Sequence, residues 1–294
     1  MLLEKSLSRK KSLKTKLFGQ MGNQVSTLNP FKEFGDKDLH KEIGDLHKKL
    51  SRLQQEEALR IVICGDRNAG KSALVNNILS ALEGKLVQIA KVGTPDGGVT
   101  KKYIEYKITL GEKQDKTVIV ICDTKGVGQE NTTKQIKAVK AAVKGKFTPN
   151  QPMGATPKLL TGRKKDAVYV IIVHEAMFMI SQNDATSQDS TWKDIESYTN
   201  KESIPMAIVL TKCDKLDAAV ASDITKMYTS PKVNDAISAA SLMFHGLPKS
   251  RIFPIVNYTD QRKADPAMKI QILYALREIV SDVEVYMSSV VDKT

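Results

Sequence analysis

The eight residues Gly65-Asp66-Arg67-Asn68-Ala69-Gly70-Lys71-Ser72 have the types and spacing needed to hold phosphate. Gly65 and Gly70 permit backbone conformations that a Cβ would block, so consecutive N–H groups can point inward at an anion. Lys71 would reach the terminal phosphates of a nucleotide and Ser72 would ligate Mg²⁺. The apolar run Arg60-Ile61-Val62-Ile63-Cys64 precedes the segment, and Ala73-Leu74-Val75-Asn76-Asn77-Ile78-Leu79 continues it at helical spacing. A glycine turn without chemical purpose could match the pattern. The flanking strand and helix, whose N-terminus adds partial positive charge, favour a P-loop.

Two further segments extend that chemistry. Asp123-Thr124-Lys125-Gly126 ends the apolar run Val118 to Cys122, which places a carboxylate near Mg²⁺ and leaves the Gly126 N–H free to meet a γ-phosphate. Alone the pattern is weak; one hairpin after a P-loop it gains weight. Thr211-Lys212-Cys213-Asp214 follows Met206-Ala207-Ile208-Val209-Leu210. The Asp214 carboxylate can accept from the N1–H and 2-amino groups of guanine while the Lys212 stem packs over the base. Adenine lacks that donor pair, so GTP is favoured over ATP. The bland reading of 211–214 is a polar turn after a strand.

The elements that position these residues follow from periodicity. Residues 36–59 predict a helix with an apolar stripe of Leu39, Ile43, Leu46, Leu50 and Leu53, which either packs on the following domain or mediates self-association. Residues 103–110 and 117–122 predict a hairpin. A lysine-faced helix is expected over 131–145 and a proline-containing loop over 146–166. Strands at 167–173, 206–211 and 252–256 alternate with helices near 187–200, 215–245 in two pieces, and 266–288. Continuous β-branched runs separated by helices imply an α/β fold of three layers, with a mostly parallel sheet of about six strands and an added N-terminal helix.

The ordered set of motifs resembles the translation-factor and Ras-like class of P-loop GTPases. The long loop from Asp123-Thr124-Lys125-Gly126 to Thr211-Lys212-Cys213-Asp214 is similar to the interferon-induced protein 44 and 44-like family, as are Ile255-Val256-Asn257-Tyr258 and the closing Asp265 to Arg277. The similarity spans Ala58 to Met287. It implies a GTP-binding G domain over 59–290, preceded by a helix at 36–58 and a basic arm at 1–35. It implies GTP or GDP with Mg²⁺ as the bound group. Gly65, Arg67, Asn68, Ala69, Gly70, Lys71, Ser72 and Ala73 would meet the phosphates, and Ser72, Thr100 and Asp123 would hold Mg²⁺. Lys71, Thr100 and Gly126 would serve catalysis, Asp123 and Gly126 sensing the γ-phosphate. Thr211, Lys212, Asp214 and, through its backbone, Asn257 would hold guanine. Two departures matter. Val127 stands where the Ras-like class has a water-orienting glutamine, with Gln129 two positions on. Arg67 occupies a loop position that is often small; it either obstructs a partner's arginine or supplies charge in cis. Both imply slow unaided hydrolysis.

The resemblance implies a guanine-nucleotide switch with slow or partner-stimulated GTPase activity and an innate-immune, antiviral setting. The alternative is a nucleotide-stabilised scaffold that recruits partners or membrane without turnover. Composition allows both. The chain has 294 residues, 41% apolar and 27% charged, with net charge +12. No apolar run approaches the roughly 20 residues that cross a bilayer. Three separated cysteines without a CxxC pair argue against zinc and for a reducing, cytoplasmic compartment. Residues 1–20 set Lys5, Arg9, Lys10, Lys11, Lys14 and Lys16 against Glu4, with Leu3, Leu7, Leu13, Leu17 and Phe18 opposite. That arm is either a solvated tail or a peripheral contact with an anionic membrane. Met21 to Ser26 has the form of an N-myristoylation signal, active only if Met21 starts a chain. Nucleic acid is disfavoured, because seven Phe and one Trp offer no stacking platform.

Overall fold

The computed structural model describes residues 29–33, 39–53, 58–92, 102–109, 117–128, 132–153, 167–181, 189–257 and 265–291. The arm up to residue 28, Thr100, Gln129 and Tyr258 lie outside them. In chain order the described elements are α1 (Pro30–Glu33), α2 (Leu39–Leu53), β1 (Leu59–Gly65), α3 (Lys71–Glu83), β2 (Ile104–Thr109), β3 (Thr117–Asp123) and α4 (Thr132–Val143). Then follow β4 (Tyr169–Glu175), α5 (Ala176–Ser181), α6 (Asp189–Glu202), β5 (Met206–Thr211), α7 (Cys213–Leu216), α8 (Ala218–Ser222), α9 (Pro231–Met243), β6 (Ile252–Pro254) and α10 (Pro266–Val291).

The strands form one sheet in the order β2-β3-β1-β4-β5-β6. β2 pairs antiparallel with β3, and every other pairing is parallel. Every residue of β1 and β5 is buried, as expected for parallel strands covered on both faces. Alternation then sorts side chains between two cores. Ile61 and Ile63 of β1 pack with α2, α3 and α10, whereas Val62 and Cys64 pack with α4, α6 and α9. The fold is the three-layer α/β sheet expected from the sequence.

The leucine stripe of α2 is resolved by this packing. Leu39, Leu46 and Leu50 are buried beside Ile279, Val280 and Val283 of α10, with Ile43 and Leu53 packed against the same cluster. The helix therefore packs on its own domain, and the stripe is not left exposed for self-association. His47 Nε2 lies 3.2 Å from the Leu82 carbonyl at the end of α3.

Three expected elements differ. The stretch 215–245 breaks into α7, α8, a 3₁₀ turn (Ile224–Thr229) and α9, because start signals recur within it. Asp217 accepts from Ala219 N at 2.9 Å, Asp223 from Thr225 N at 3.0 Å, and Ser230 from Val233 N at 3.2 Å with Pro231 opening α9. The last strand stops at Pro254 rather than 256, because the Gln271 amide takes the place of a strand neighbour. Its Oε1 accepts from Val256 N at 2.8 Å and its Nε2 donates to Val256 O at 2.7 Å. β4 starts two residues late, since Ala167 N and Val168 N bond to Val143 O and Arg60 O at 2.8 and 2.9 Å instead of entering the β4 ladder.

A buried ion pair ties the antiparallel edge to the centre. Arg60 Nη1 of β1 donates to Glu105 Oε1 of β2 at 3.0 Å, Arg60 Nη2 donates to Tyr103 OH, and that hydroxyl donates to Glu105 at 3.1 Å. Both charged side chains are under 10% exposed. Breaking such a pair strands the remaining charge, so Glu105→Ala is expected to lower unfolding free energy by about 3–5 kcal/mol. Denaturant unfolding checks this; a loss under about 1 kcal/mol would show that water reaches Arg60.

Candidate functional site

β1 leaves the sheet at Gly65 because the adjacent strand allows no side chain there: a Cβ would lie 2.1 Å from Val173 O. Asn68 and Gly70 then take left-handed conformations, with φ of 62° and 83°, and α3 begins at Lys71. Several supports set the loop's orientation from behind. Thr211 Oγ1 donates to Ala69 O at 2.8 Å, and Asn257 Nδ2 donates to Gly70 O at 3.3 Å. Carbonyl and following N–H point oppositely across a trans peptide, so these contacts aim the Gly70 and Lys71 amides into the loop. Arg67 N donates to Val127 O at 2.8 Å and Val127 N to Gly65 O at 3.0 Å.

Within the loop the Lys71 ammonium is buried and donates to Asp66 O at 2.6 Å. Burial lowers its pKa, opposed by Asp123, Asp66 and Cys64. Ser72 Oγ donates to Asp123 Oδ2 at 2.8 Å. Asp123 is fully buried and its Oδ1 has no hydrogen-bond partner among the described residues. Burial pushes its carboxyl up to about 6, opposed by Lys71, the Ser72 hydroxyl and the Thr124 N–H. A hydroxyl and an under-satisfied carboxylate, both hard oxygen ligands, fit Mg²⁺, which takes one or two protein oxygens and completes its shell with phosphate and water. Among the described residues no group of three or more His, Cys, Asp or Glu could hold a metal. Gly126 is pressed against Arg67 and Lys71: a Cβ there would lie 2.7 Å from Arg67 Cα and 2.9 Å from Lys71 Nζ.

The residues expected at the base divide into two groups. Asp214 is half-buried at the start of α7 and makes no side-chain hydrogen bond among the described residues. Lys212 has φ 58° and its ammonium pairs with Glu175 at the end of β4. The Thr211 hydroxyl, by contrast, is engaged by Ala69 O and by His174 O at 3.2 Å, so it braces the loop. Asn257 also turns its side chain to the loop, accepting from Asn77 Nδ2 of α3 at 2.8 Å while donating to Gly70 O. Ala69 and Ala73 are buried against the loop's inner side, while Arg67 is exposed. Val127 is buried and paired with the loop.

One part of the site had no signal in the sequence. Both oxygens of Asp66 are bonded, Oδ2 to His174 Nδ1 at 2.5 Å and Oδ1 to Trp192 Nε1 at 3.0 Å. Burial pushes the Asp66 carboxyl up, but the His174 and Trp192 bonds and Lys71 outweigh it and hold it below its usual value.

The family described as 50S ribosome-binding GTPase matches residues 60–212. Interferon-induced protein 44 of Mus musculus is 28% identical over 229 residues, covering 75% of this chain and 54% of that protein. Interferon-induced protein 44-like of Homo sapiens is 24% identical over 235 residues, covering 76% and 51%. The chain thus spans about half the length of the curated relatives it matches. Among solved structures, Toc33 from Arabidopsis thaliana in complex with GDP and Mg²⁺ superposes with a TM-score of 0.49 at 13% identity, covering 86% of this chain and 95% of that one.

The raised Asp123 carboxyl gives a signed pH dependence. Folded, it keeps its proton up to about pH 6; unfolded, only to the ordinary 3.8. Its contribution to stability is therefore present below pH 3.8 and lost as pH rises through about 6. Without nucleotide or Mg²⁺, Asp123→Asn should gain stability relative to the parent between about pH 4 and pH 7.5, by on the order of 1–3 kcal/mol. Thermal unfolding at the two pH values reads the difference; a constant offset would contradict the assignment.

Proposed function

Because this chain belongs to the family of 50S ribosome-binding GTPases, we propose that it is a guanine-nucleotide switch that binds GTP and GDP with Mg²⁺ and hydrolyses GTP slowly unless a partner assists. The observation that carries this reading is the buried Lys71 ammonium beside Ser72 and an Asp123 carboxylate with one unpartnered oxygen. A cation and a metal-fitting oxygen pair converge where inward amides can meet phosphate. Lys71 and the loop amides bind the phosphates, Ser72 and Asp123 hold Mg²⁺, and Lys212 and Asp214 hold guanine. Bound Mg²⁺ neutralises phosphate charge and orients the terminal phosphoryl group. Thr211 and Asn257 act by shaping the loop.

Slow turnover is supported by Val127, which is buried in the core and offers no polar group to orient water. The same observation favours the scaffold reading, in which nucleotide stabilises the fold and turnover is incidental. The setting we infer is a response to interferon, from the relatives' names.

Nucleotide released by denaturing the purified protein should be GDP or GTP by chromatography, and Lys71→Ala should carry none. Asp214→Asn should shift preference from guanine toward xanthine nucleotides on the order of 100-fold, read by competition binding. Unchanged selectivity would remove Asp214 from the base site. GTP turnover equal in the parent and in Lys71→Ala, with tight GTP binding kept in the parent, would select the scaffold.

A further inference from the structure

A carboxylate inside a phosphate-binding loop opposes its ligand unless its charge is directed elsewhere. Asp66 is directed elsewhere by two donors from distant parts of the chain. His174 Nδ1, at the next-to-last residue of β4, meets Oδ2 at 2.5 Å, and Trp192 Nε1, on α6, donates to Oδ1 at 3.0 Å. Since an ionised carboxylate only accepts, Nδ1 carries the imidazole proton. The imidazole is itself fully buried and walled by aromatic rings. It stacks on Phe178 at 6.0 Å, meets the Trp192 ring edge-on at 5.3 Å and tilts against Phe244 at 5.9 Å. The donors are therefore fixed in place before any ligand arrives, and they fix the loop residue whose carbonyl receives Lys71 Nζ at 2.6 Å.

We propose that His174 and Trp192 are positioning residues for the phosphate loop, holding Asp66 turned away from the phosphates and linking the loop to α6. The inference rests on the nucleotide reading above and adds two residues and a readout to it. The His174 and Trp192 side chains reach the loop at Asp66, whereas the contacts from β4 to the segment carrying Lys212 and Asp214 are made by the His174 carbonyl and by Glu175, so replacing the two side chains bears on phosphate binding and not on the base. A phosphate in the loop would add charge beside Asp66, which the Trp192 Nε1–H contacts, and this is the sole tryptophan of the chain. Intrinsic fluorescence thus reports on the loop directly.

The test compares GDP and guanosine, with Mg²⁺ present, as competitors of a labelled GDP on the full chain. Trp192→Phe keeps an aromatic ring in the core and removes the N–H. It should weaken GDP on the order of tenfold and leave guanosine within about twofold. His174→Asn keeps a donor at the δ position and should hold GDP near the parent, whereas His174→Leu should lose it as Trp192→Phe does. Parent emission should shift on adding GDP and not on adding guanosine. Equal GDP affinity in Trp192→Phe and the parent, equal losses for GDP and guanosine, or an emission unmoved by GDP would each overturn the inference. A parent that binds no guanine nucleotide would overturn the proposed function, and this inference with it; a binding parent with unaffected variants overturns this inference alone.

Discussion

The Lys71 ammonium is buried with a carbonyl oxygen as its hydrogen-bond partner and forms no ion pair among the described residues. Removing a cation from water without a paired anion is unfavourable by several kcal/mol, and the lowered pKa of Lys71 expresses that cost as a pull toward the neutral amine. Asp123 shows the converse, a buried carboxyl pulled toward its protonated form. The two groups attract one another, and for each the effect of burial is stronger. Polyphosphate with a divalent cation would supply the opposite charge to both and so link ligand binding to fold stability through the same atoms.

A loop carrying such charges has to be held by its surroundings. Its braces come from four places: Val127 just beyond β3, Thr211 at the end of β5, Asn257 after β6 and the His174–Trp192 pair of β4 and α6. The motif residues were legible in the sequence because a P-loop is a local pattern. Its braces were not, being 108, 126, 142 and 187 residues distant from their partners. Place in the chain gives Thr211 and Asn257 as nucleotide residues, Asn257 through its backbone, but does not show that their side chains reach the loop at Ala69 O and Gly70 O. Only proximity in space reveals that, and spacing along the chain carries no such information.

The sheet was more legible, for a related reason. Continuous runs such as Leu59–Gly65 and Met206–Thr211 are buried on both faces, so composition alone marks them as central parallel strands. Edges were read less well. β6 ends where the Gln271 side chain replaces a strand, an exchange that no propensity encodes. The segmented stretch 213–243 had its signals in view, since Asp217, Asp223 and Ser230-Pro231 are each helix starts. Apolar periodicity does not register them, because a long helix and a chain of short ones bury similar residues.

Val127 brings these points together at the reacting end of the site. Its N–H and carbonyl both bond to the loop, to Gly65 and Arg67, and its side chain packs into the core under α4 and α6. The position that orients water in the resembling class is here part of the loop's support. Gly126, clamped between Arg67 and Lys71, shares that fixed geometry and cannot withdraw without dismantling the braces of the phosphate loop. The Arg67 guanidinium also lies alongside Gly128, so residues 65–72 and 126–128 are tied into one packed piece by backbone bonds and close glycine contacts, and the Val127 side chain joins that piece to the core.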